Sequence, residues 1–406
     1  MKRFVKMAIA GLLLTALIIP AFATGTQESV PVPGVTDTAI KIGTFQAMSG
    51  PVAIIGTSVA KGMQAYFEYI NKQGGINGRK IELIIADDQF NPAKTVVETR
   101  RLVENDGVFA MVGCLGTPGV LAVMDYLQDS EVPFVYQGSG ATQLAIPPKY
   151  WVFPFQPNYL VEGNVMVRYL VETKKFTKLG MIYRNAEDGK DSYNSVMNTI
   201  KMFPGVEMVR AVAVDPTATD FSAEIQRLAA AEPEAIIVTL FAPQTANYLK
   251  QSIQQFGLKK PLYLLNYANP DPTTIAATGA DVIEGVEAMA WVQVDFTQAD
   301  FPPFKWYQDL HGQGQLPNAF AVAGMIAAEL FCEGVSRAGR NLTREDLVKG
   351  LESMTDWSGI LAKDTLYKPY NENDITCRLG KQRMYPLVVK KGVWEIAGDW
   401  VEYKAK

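Results

Sequence analysis

From residue 38 onward, short apolar runs alternate with longer stretches of helical period. Ile40–Phe45 precedes Ala60–Ile70, Ile81–Ala86 precedes Ala93–Val103, Val108–Val112 precedes Val120–Leu127, and Pro133–Tyr136 follows. A short apolar run bounded by turn residues fits a buried strand, and apolar positions recurring at i, i+3, i+4 fit a helix with one buried face. The alternation therefore predicts βαβ units around a parallel sheet. The pattern then restarts: helix Glu162–Glu172, strand Leu179–Tyr183, helix Ser192–Phe203, strand Val206–Val214, helix Phe221–Ala230, strand Ala235–Leu240, helix Gln244–Gln255, strand Pro261–Leu265. Two α/β sheets built in succession are expected. Asn91-Pro92 reads as a helix start, with Asn as cap and Pro in the first turn. Helices are also expected over Ala319–Ala338 and after Thr343, where Asp346 three residues on makes a capping box. Tyr385–Val389 and Val393–Ile396, flanking Lys391-Gly392, read as a hairpin.

The first residues have another pattern. Lys2, Arg3 and Lys6 precede the uncharged apolar stretch Met7–Phe22, which ends on the small-x-small triplet Ala21-Phe22-Ala23. This is the layout of a secretory signal cleaved after Ala23, and it is shorter than the roughly 20 apolar residues that span a bilayer. With no cysteine nearby, a lipid anchor is not expected. Thr24–Asp37 has no apolar period and reads as a flexible lead-in. The apolar run Ala319–Cys332, interrupted by Gly324 and Glu329, reads as a core helix, so the exported chain is not expected to span a membrane.

The length of 406 residues exceeds one core and suits two. Tyr150–Tyr159, with Pro154, Pro157 and the preceding Pro148, is stiff and aromatic, and reads as a first crossing between lobes. Gly285–Val294 reads as a second. The net charge of −4 is spread over interspersed acidic and basic residues. Without a basic stripe, nucleic acid is not an expected partner.

Catalytic machinery is not evident. The single histidine, His311, stands in a Gly- and Gln-rich loop, and no GxSxG elbow exists for it to serve. Gly138-Ser139-Gly140-Ala141-Thr142-Gln143 follows a strand but lacks the third glycine of a dinucleotide loop, and no GxxxxGK[ST] loop occurs. Asp87-Asp88 are adjacent at a strand end, so their side chains diverge and suit capping better than paired catalysis. Cys114, Cys332 and Cys377 show no metal-ligand spacing; a Cys332–Cys377 bridge and three separate buried thiols both remain open. No enzyme activity, metal or cofactor is expected. What remains are loops at the carboxyl ends of strands, where open α/β sheets bind ligands: Ala47–Gly56, Cys114–Pro118, Gln137–Thr142 and Phe241–Gln244. Their glycines and small hydroxyl residues let backbone N–H groups approach an anion, and the Pro118 turn opens a helix N-terminus. Taken one at a time, the same glycines also suit plain turns.

Four motifs occur in one order: Met48-Ser49-Gly50-Pro51-Val52-Ala53, Ile70-Asn71-Lys72-Gln73-Gly74-Gly75-Ile76-Asn77-Gly78-Arg79, Asp87-Asp88-Gln89-Phe90-Asn91-Pro92-Ala93 and Thr219-Asp220-Phe221-Ser222. With them the chain from Ile40 to about Gly398 resembles the branched-chain amino-acid (Leu/Ile/Val)-binding family of type I periplasmic binding proteins. Phe155-Gln156-Pro157 with Glu162-Gly163, and Leu115-Gly116-Thr117-Pro118-Gly119, look most like a branch whose ligands are often not amino acids. The resemblance implies two Rossmann-like lobes joined by a three-strand hinge. The N-terminal lobe would comprise residues 38–157 and 290–361, and the C-terminal lobe 158–289 and 362–406, after a signal peptide at 1–23 and a lead-in at 24–37. It implies a monomeric periplasmic protein that closes on a small-molecule ligand and docks on the permease of an ABC importer. A sensor docking on a receptor, and a branched-chain amino-acid binder proper, are the competing readings.

Carried over residue by residue, Thr117 matches the hydroxyl that binds a ligand carboxylate, beside Leu115 and Gly116. Gly138, Ser139 and Gly140 match the loop of backbone donors, with Gly140 where the family often has a hydroxyl residue. The other half differs. Ile55 stands where amino-acid binders have an aromatic residue, and Asn266 where they have the acid that pairs with the ligand ammonium. Asp188 is placed to compensate. With Ile55, Phe241 and Trp291 as lining, an organic acid or amide with an apolar or aromatic body is expected ahead of a plain amino acid, because a buried ammonium without a carboxylate partner is costly.

Overall fold

The computed structural model describes residues 31–296 and 298–404. The expected signal peptide, residues 1–23, and the first half of the expected lead-in, residues 24–30, lie outside these. Its last residues are tied down: Lys41 N–H donates to the Gly34 carbonyl at 2.7 Å, and Arg79 Nε donates to the Thr36 carbonyl at 2.6 Å.

The first elements are β1 (Ala39–Gln46), α1 (Ala53–Lys72), β2 (Lys80–Asp87), α2 (Pro92–Arg100), β3 (Met111–Leu115), α3 (Thr117–Asp129), β4 (Phe134–Gly138) and β5 (Val152–Phe153). Their strands form a parallel sheet in the order β2-β1-β3-β4-β5. The next are α4 (Tyr159–Arg168), β6 (Lys178–Arg184), α5 (Glu187–Ile200), β7 (Glu207–Val214), α6 (Ser222–Ala229), β8 (Ala235–Thr239), α7 (Ala242–Leu249), β9 (Leu262–Leu265), α8 (Pro272–Thr278), α9 (Ala280–Ile283) and β10 (Glu287–Ala290). The chain ends with α10 (Pro302–His311), α11 (Ala319–Ala338), α12 (Arg344–Glu352), β11 (Arg383–Lys390), β12 (Val393–Ile396) and β13 (Val401–Glu402). The second sheet runs β12-β11-β10-β9-β8-β6-β7, parallel from β10 to β7 and antiparallel at the β11–β12 hairpin.

The two lobes are thus α/β sandwiches, and the chain passes between their sheets three times: after β5, after β10 and before β11. The buried Arg378 guanidinium ties the first of these crossings to the last. It donates to the carbonyls of Tyr150 and Lys368, pairs with Glu352 at 2.7 Å, and lies 4.2 Å over the Phe153 ring. Helix α11 is the one helix among the described residues long and apolar enough to cross a membrane. With 72% of its most apolar window buried inside the protein, it is a core helix packed on α1.

Several boundaries differ from the periodicity. Helix α1 begins at Ala53, so Ile55 and Gly56 are helical and not loop residues; Ile54 is exposed while Ile55, Val59 and Ala60 are buried, an early amphipathic face masked by Gly56, Thr57 and Ser58. Helix α5 begins at Glu187, where two acidic residues in the first turn suit the positive end of the helix dipole better than an apolar period would reveal. Strand β3 sits three residues later than read, because residues 108–115 are buried throughout and a continuous apolar run does not mark its own ends. Helices α8 and α10 were not expected; each starts on a proline, and Asp271 caps α8 by accepting from Thr273 N–H at 2.7 Å.

His311 is the last residue of α10, not a loop residue. Its ring packs 4.5 Å from Tyr307 and its Nε2 lies 2.9 Å from the Lys61 carbonyl. The three cysteines are buried and unbridged, so Cys332 and Cys377 do not form a disulfide. Asp87 and Asp88 act as loop acceptors: Asp87 takes hydrogen bonds from Met48 N–H and Ser49 Oγ, and Asp88 from Phe90 N–H and Thr95 Oγ1. The Thr343–Asp346 capping box is formed.

Candidate functional site

The carboxyl ends of β3, β4, β8 and β9 and the starts of α1, α3, α5 and α11 surround a cavity of about 100 Å³ between the two sheets. Nine of the residues singled out in the sequence line it: Ile55, Leu115, Gly116, Thr117, Gly138, Asp188, Phe241, Asn266 and Trp291. Ser139 stands behind the wall, its hydroxyl 2.8 Å from that of Thr117. Gly140 lies beneath two tyrosines.

The Thr117 side is built as an acceptor-binding corner. Gly116 precedes α3 with φ +106, a conformation that L side chains rarely adopt, and a Cβ there would meet the Phe90 ring at 2.6 Å. Thr117 then opens the helix, where the N–H groups of Thr117 and Gly119 have no partner within it, while Pro118 has none to give and Val120 N–H donates to the Gly116 carbonyl at 2.9 Å. Its hydroxyl also lies 3.3 Å from the Tyr159 hydroxyl. Tyr159 and Tyr267 stack with ring centroids 6.3 Å apart, and Gln156 Nε2 donates to the Tyr267 hydroxyl at 2.9 Å. Burial pushes both phenols upward, so they remain neutral. At Gly140 a Cβ would approach the Tyr267 hydroxyl to 2.6 Å and Tyr159 Cδ1 to 2.7 Å. The missing hydroxyl residue at this position is therefore the space that the tyrosine stack occupies. Thr142, from the same loop, faces α5: its N–H and hydroxyl donate to Asp191 at 2.7 and 2.9 Å.

The opposite side carries one charged lining residue, Asp188 in the first turn of α5. Burial pushes its carboxyl upward, and the Arg184 guanidinium, 3.5 Å away, opposes that shift. Arg184 also lies 3.8 Å over the Phe241 ring. The Asp188 charge is thus already matched within its own lobe. Asn266 is buried, and its Oδ1 accepts from Asn269 Nδ2. The rest of the lining is mainly apolar, including Val52, Val59, Pro270, Val292, Phe320 and Ala323.

Sequence reasoning missed Phe90, Tyr136, Gln156, Tyr159, Ser192 and Tyr267 as wall residues. Phe90 left a signal, a lone aromatic in a polar loop. Its backbone takes φ +57 after Gln89 at φ +56, and the buried Asp88 holds that turn through Phe90 N–H at 2.9 Å. Among the described residues no group of His, Cys, Asp and Glu is placed to hold a metal ion.

The sequence profile of a family described as periplasmic binding protein matches residues 39–391. A Leu/Ile/Val-binding protein homolog 3 from Brucella melitensis is 30% identical over 200 residues, 48% of this chain and 53% of that one, so the match spans about half of each. A leucine-, isoleucine-, valine-, threonine- and alanine-binding protein from Pseudomonas aeruginosa is 24% identical, over 80% of this chain and 84% of the relative. The solved structure of a fatty acid ABC transporter substrate-binding protein from Thermomonospora curvata superposes with a TM-score of 0.76 at 23% identity, covering 92% of this chain and 95% of that one.

Proposed function

The chain belongs to the type I periplasmic binding proteins of the branched-chain amino-acid family, and from that membership we propose that it is the exported receptor of an ABC importer, capturing a small monocarboxylate with an apolar body between its lobes. It is a solute-binding protein and not an enzyme. Hinge closure buries the ligand, and the closed form docks on the permease in the periplasm. The observation that carries the ligand class is the Thr117 corner, where a helix N-terminus and the Thr117 hydroxyl, backed by that of Ser139 at 2.8 Å, face an otherwise mainly apolar cavity. Charge-assisted hydrogen bonds to such donors are about twice as strong as neutral ones, which favours a carboxylate there. The ends of β6, β8 and β9 supply no uncommitted carboxylate for an ammonium, since Asp188 is paired with Arg184 and residue 266 is Asn.

Asp188 does line the cavity, and this favours a second reading in which an amino acid draws Asp188 away from Arg184. Calorimetric titration with leucine and with 4-methylpentanoate, the same skeleton without the amine, separates the two. The proposal expects the acid to bind at least tenfold more tightly. Tighter binding of leucine overturns the ligand class and leaves the amino-acid reading.

A further inference from the structure

Beside the cleft lies a second hollow of about 940 Å³. Tyr267, Pro270, Trp291, Val292 and Ala319 line both spaces, so the boundary between them is a single layer of residues. Pro270, Val292 and Ala319 in that layer are half-buried and have no polar side-chain atom. The outer walls come from β11, β12 and the segment after β10, with Phe296, Tyr385, Leu387, Trp394, Ile396 and Trp400 among them. Two apolar residues of the hairpin remain open to solvent, Ile396 at 72% and Val393 at 45%. Exposed apolar surface that adjoins a binding cleft marks a contact that folding does not itself complete. The inner cavity of about 100 Å³ is small beside the roughly 300–1,000 Å³ of common ligand pockets, whereas the outer hollow falls in that range.

We propose that the two hollows are one site for an amphiphile: a carboxylate at Thr117 and an elongated apolar tail that passes Val292 and Ala319 into the outer hollow. The ligand class is then a medium- or long-chain monocarboxylate. The Thr117 corner sets the direction, with the start of α3 at the inner end. The outer rim carries Asp295, Glu395 and Asp399, and Lys390 lies 3.8 Å from Glu395. Trp291 and Trp394 offer broad apolar faces that suit a flexible chain better than a compact branched one.

This inference rests on the carboxylate reading above, and titration of the purified chain with straight-chain monocarboxylates from butanoate to dodecanoate tests both. The affinity is expected to rise roughly fourfold per methylene well beyond hexanoate. Ile396→Glu, on an exposed strand position, is expected to weaken decanoate at least tenfold and to leave butanoate unchanged, and Val393→Glu to act in the same direction. If affinity levels off by hexanoate and neither variant alters any acid, the outer hollow does not take the ligand and faces another partner; the inference falls while the carboxylate reading stands. If no acid of any length binds, the carboxylate reading falls and this inference with it.

Discussion

Phe90 and Phe241 meet edge to face across the cleft, ring centroids 6.5 Å apart at 85°. One ring comes from the loop after β2 and the other from the end of β8, so the contact exists only while the two sheets are apposed. Gly116 makes room behind Phe90, and Arg184 lies over Phe241. An aromatic pair of this geometry is worth about 0.5–1.5 kcal/mol beyond its buried area. Phe90→Ala should therefore weaken ligand binding about two- to tenfold, mainly through faster release, with little change in melting temperature. Stopped-flow release rates check this; unchanged release would separate the ring pair from closure.

The tyrosine stack gives a second expectation. A serine at Gly140, although a hydroxyl residue is frequent there in the family that the sequence resembles, would drive its Cβ against Tyr267 and Tyr159. Overpacking of this kind costs about 1–3 kcal/mol. Gly140→Ser should lower the denaturant midpoint and weaken binding together, since Tyr159 also meets Thr117. Denaturant unfolding of the variant measures the loss.

Glu162 supplies a pH dependence. It is fully buried beneath the cleft and accepts from Tyr267 N–H at 2.9 Å, and burial pushes its carboxyl up from 4.5 to about 8. The folded chain therefore holds a proton that the unfolded chain releases above its ordinary carboxyl range. The stabilising contribution is fully present below pH 4.5 and falls as pH rises toward about 8, with a slope of up to about 1.4 kcal/mol per pH unit. Glu162→Gln keeps the acceptor and removes the proton equilibrium. Its melting temperature should decline less than that of the native chain between these limits, as thermal unfolding across the range will show.

The βαβ repetition, the Pro-rich crossing, the core helix α11 and the Thr343 cap were legible because each rests on a local rule of period or capping. Thr117 and Phe241 were legible as cavity lining through their loops at strand ends, and Ile55, which stands in α1, only through the family resemblance. Tyr159 and Tyr267 were not, because nothing in either local sequence shows that residues more than a hundred positions apart will stack. Asp188 was recognised as a candidate, but its partner was not: the Arg184 pairing depends on α5 starting at Glu187, a boundary that the apolar period places near Ser192. Which face of β12 stays open, and hence the outer hollow, depends on how the hairpin packs against the segment after β10. That is tertiary information with no local signature.

The central claim is that a carboxylate sits on the first turn of α3 against the Thr117 hydroxyl, which Ser139 backs from behind the wall. Calorimetric titration of native, Thr117→Ser and Thr117→Val chains with one monocarboxylate and with its alcohol analogue tests it most directly. A hydrogen bond to a charged group contributes about 1.5–3 kcal/mol, so Thr117→Val should weaken the acid about ten- to a hundredfold and barely affect the alcohol, while Thr117→Ser retains acid binding. Equal binding of acid and alcohol by the native chain, with no loss in Thr117→Val, would contradict it.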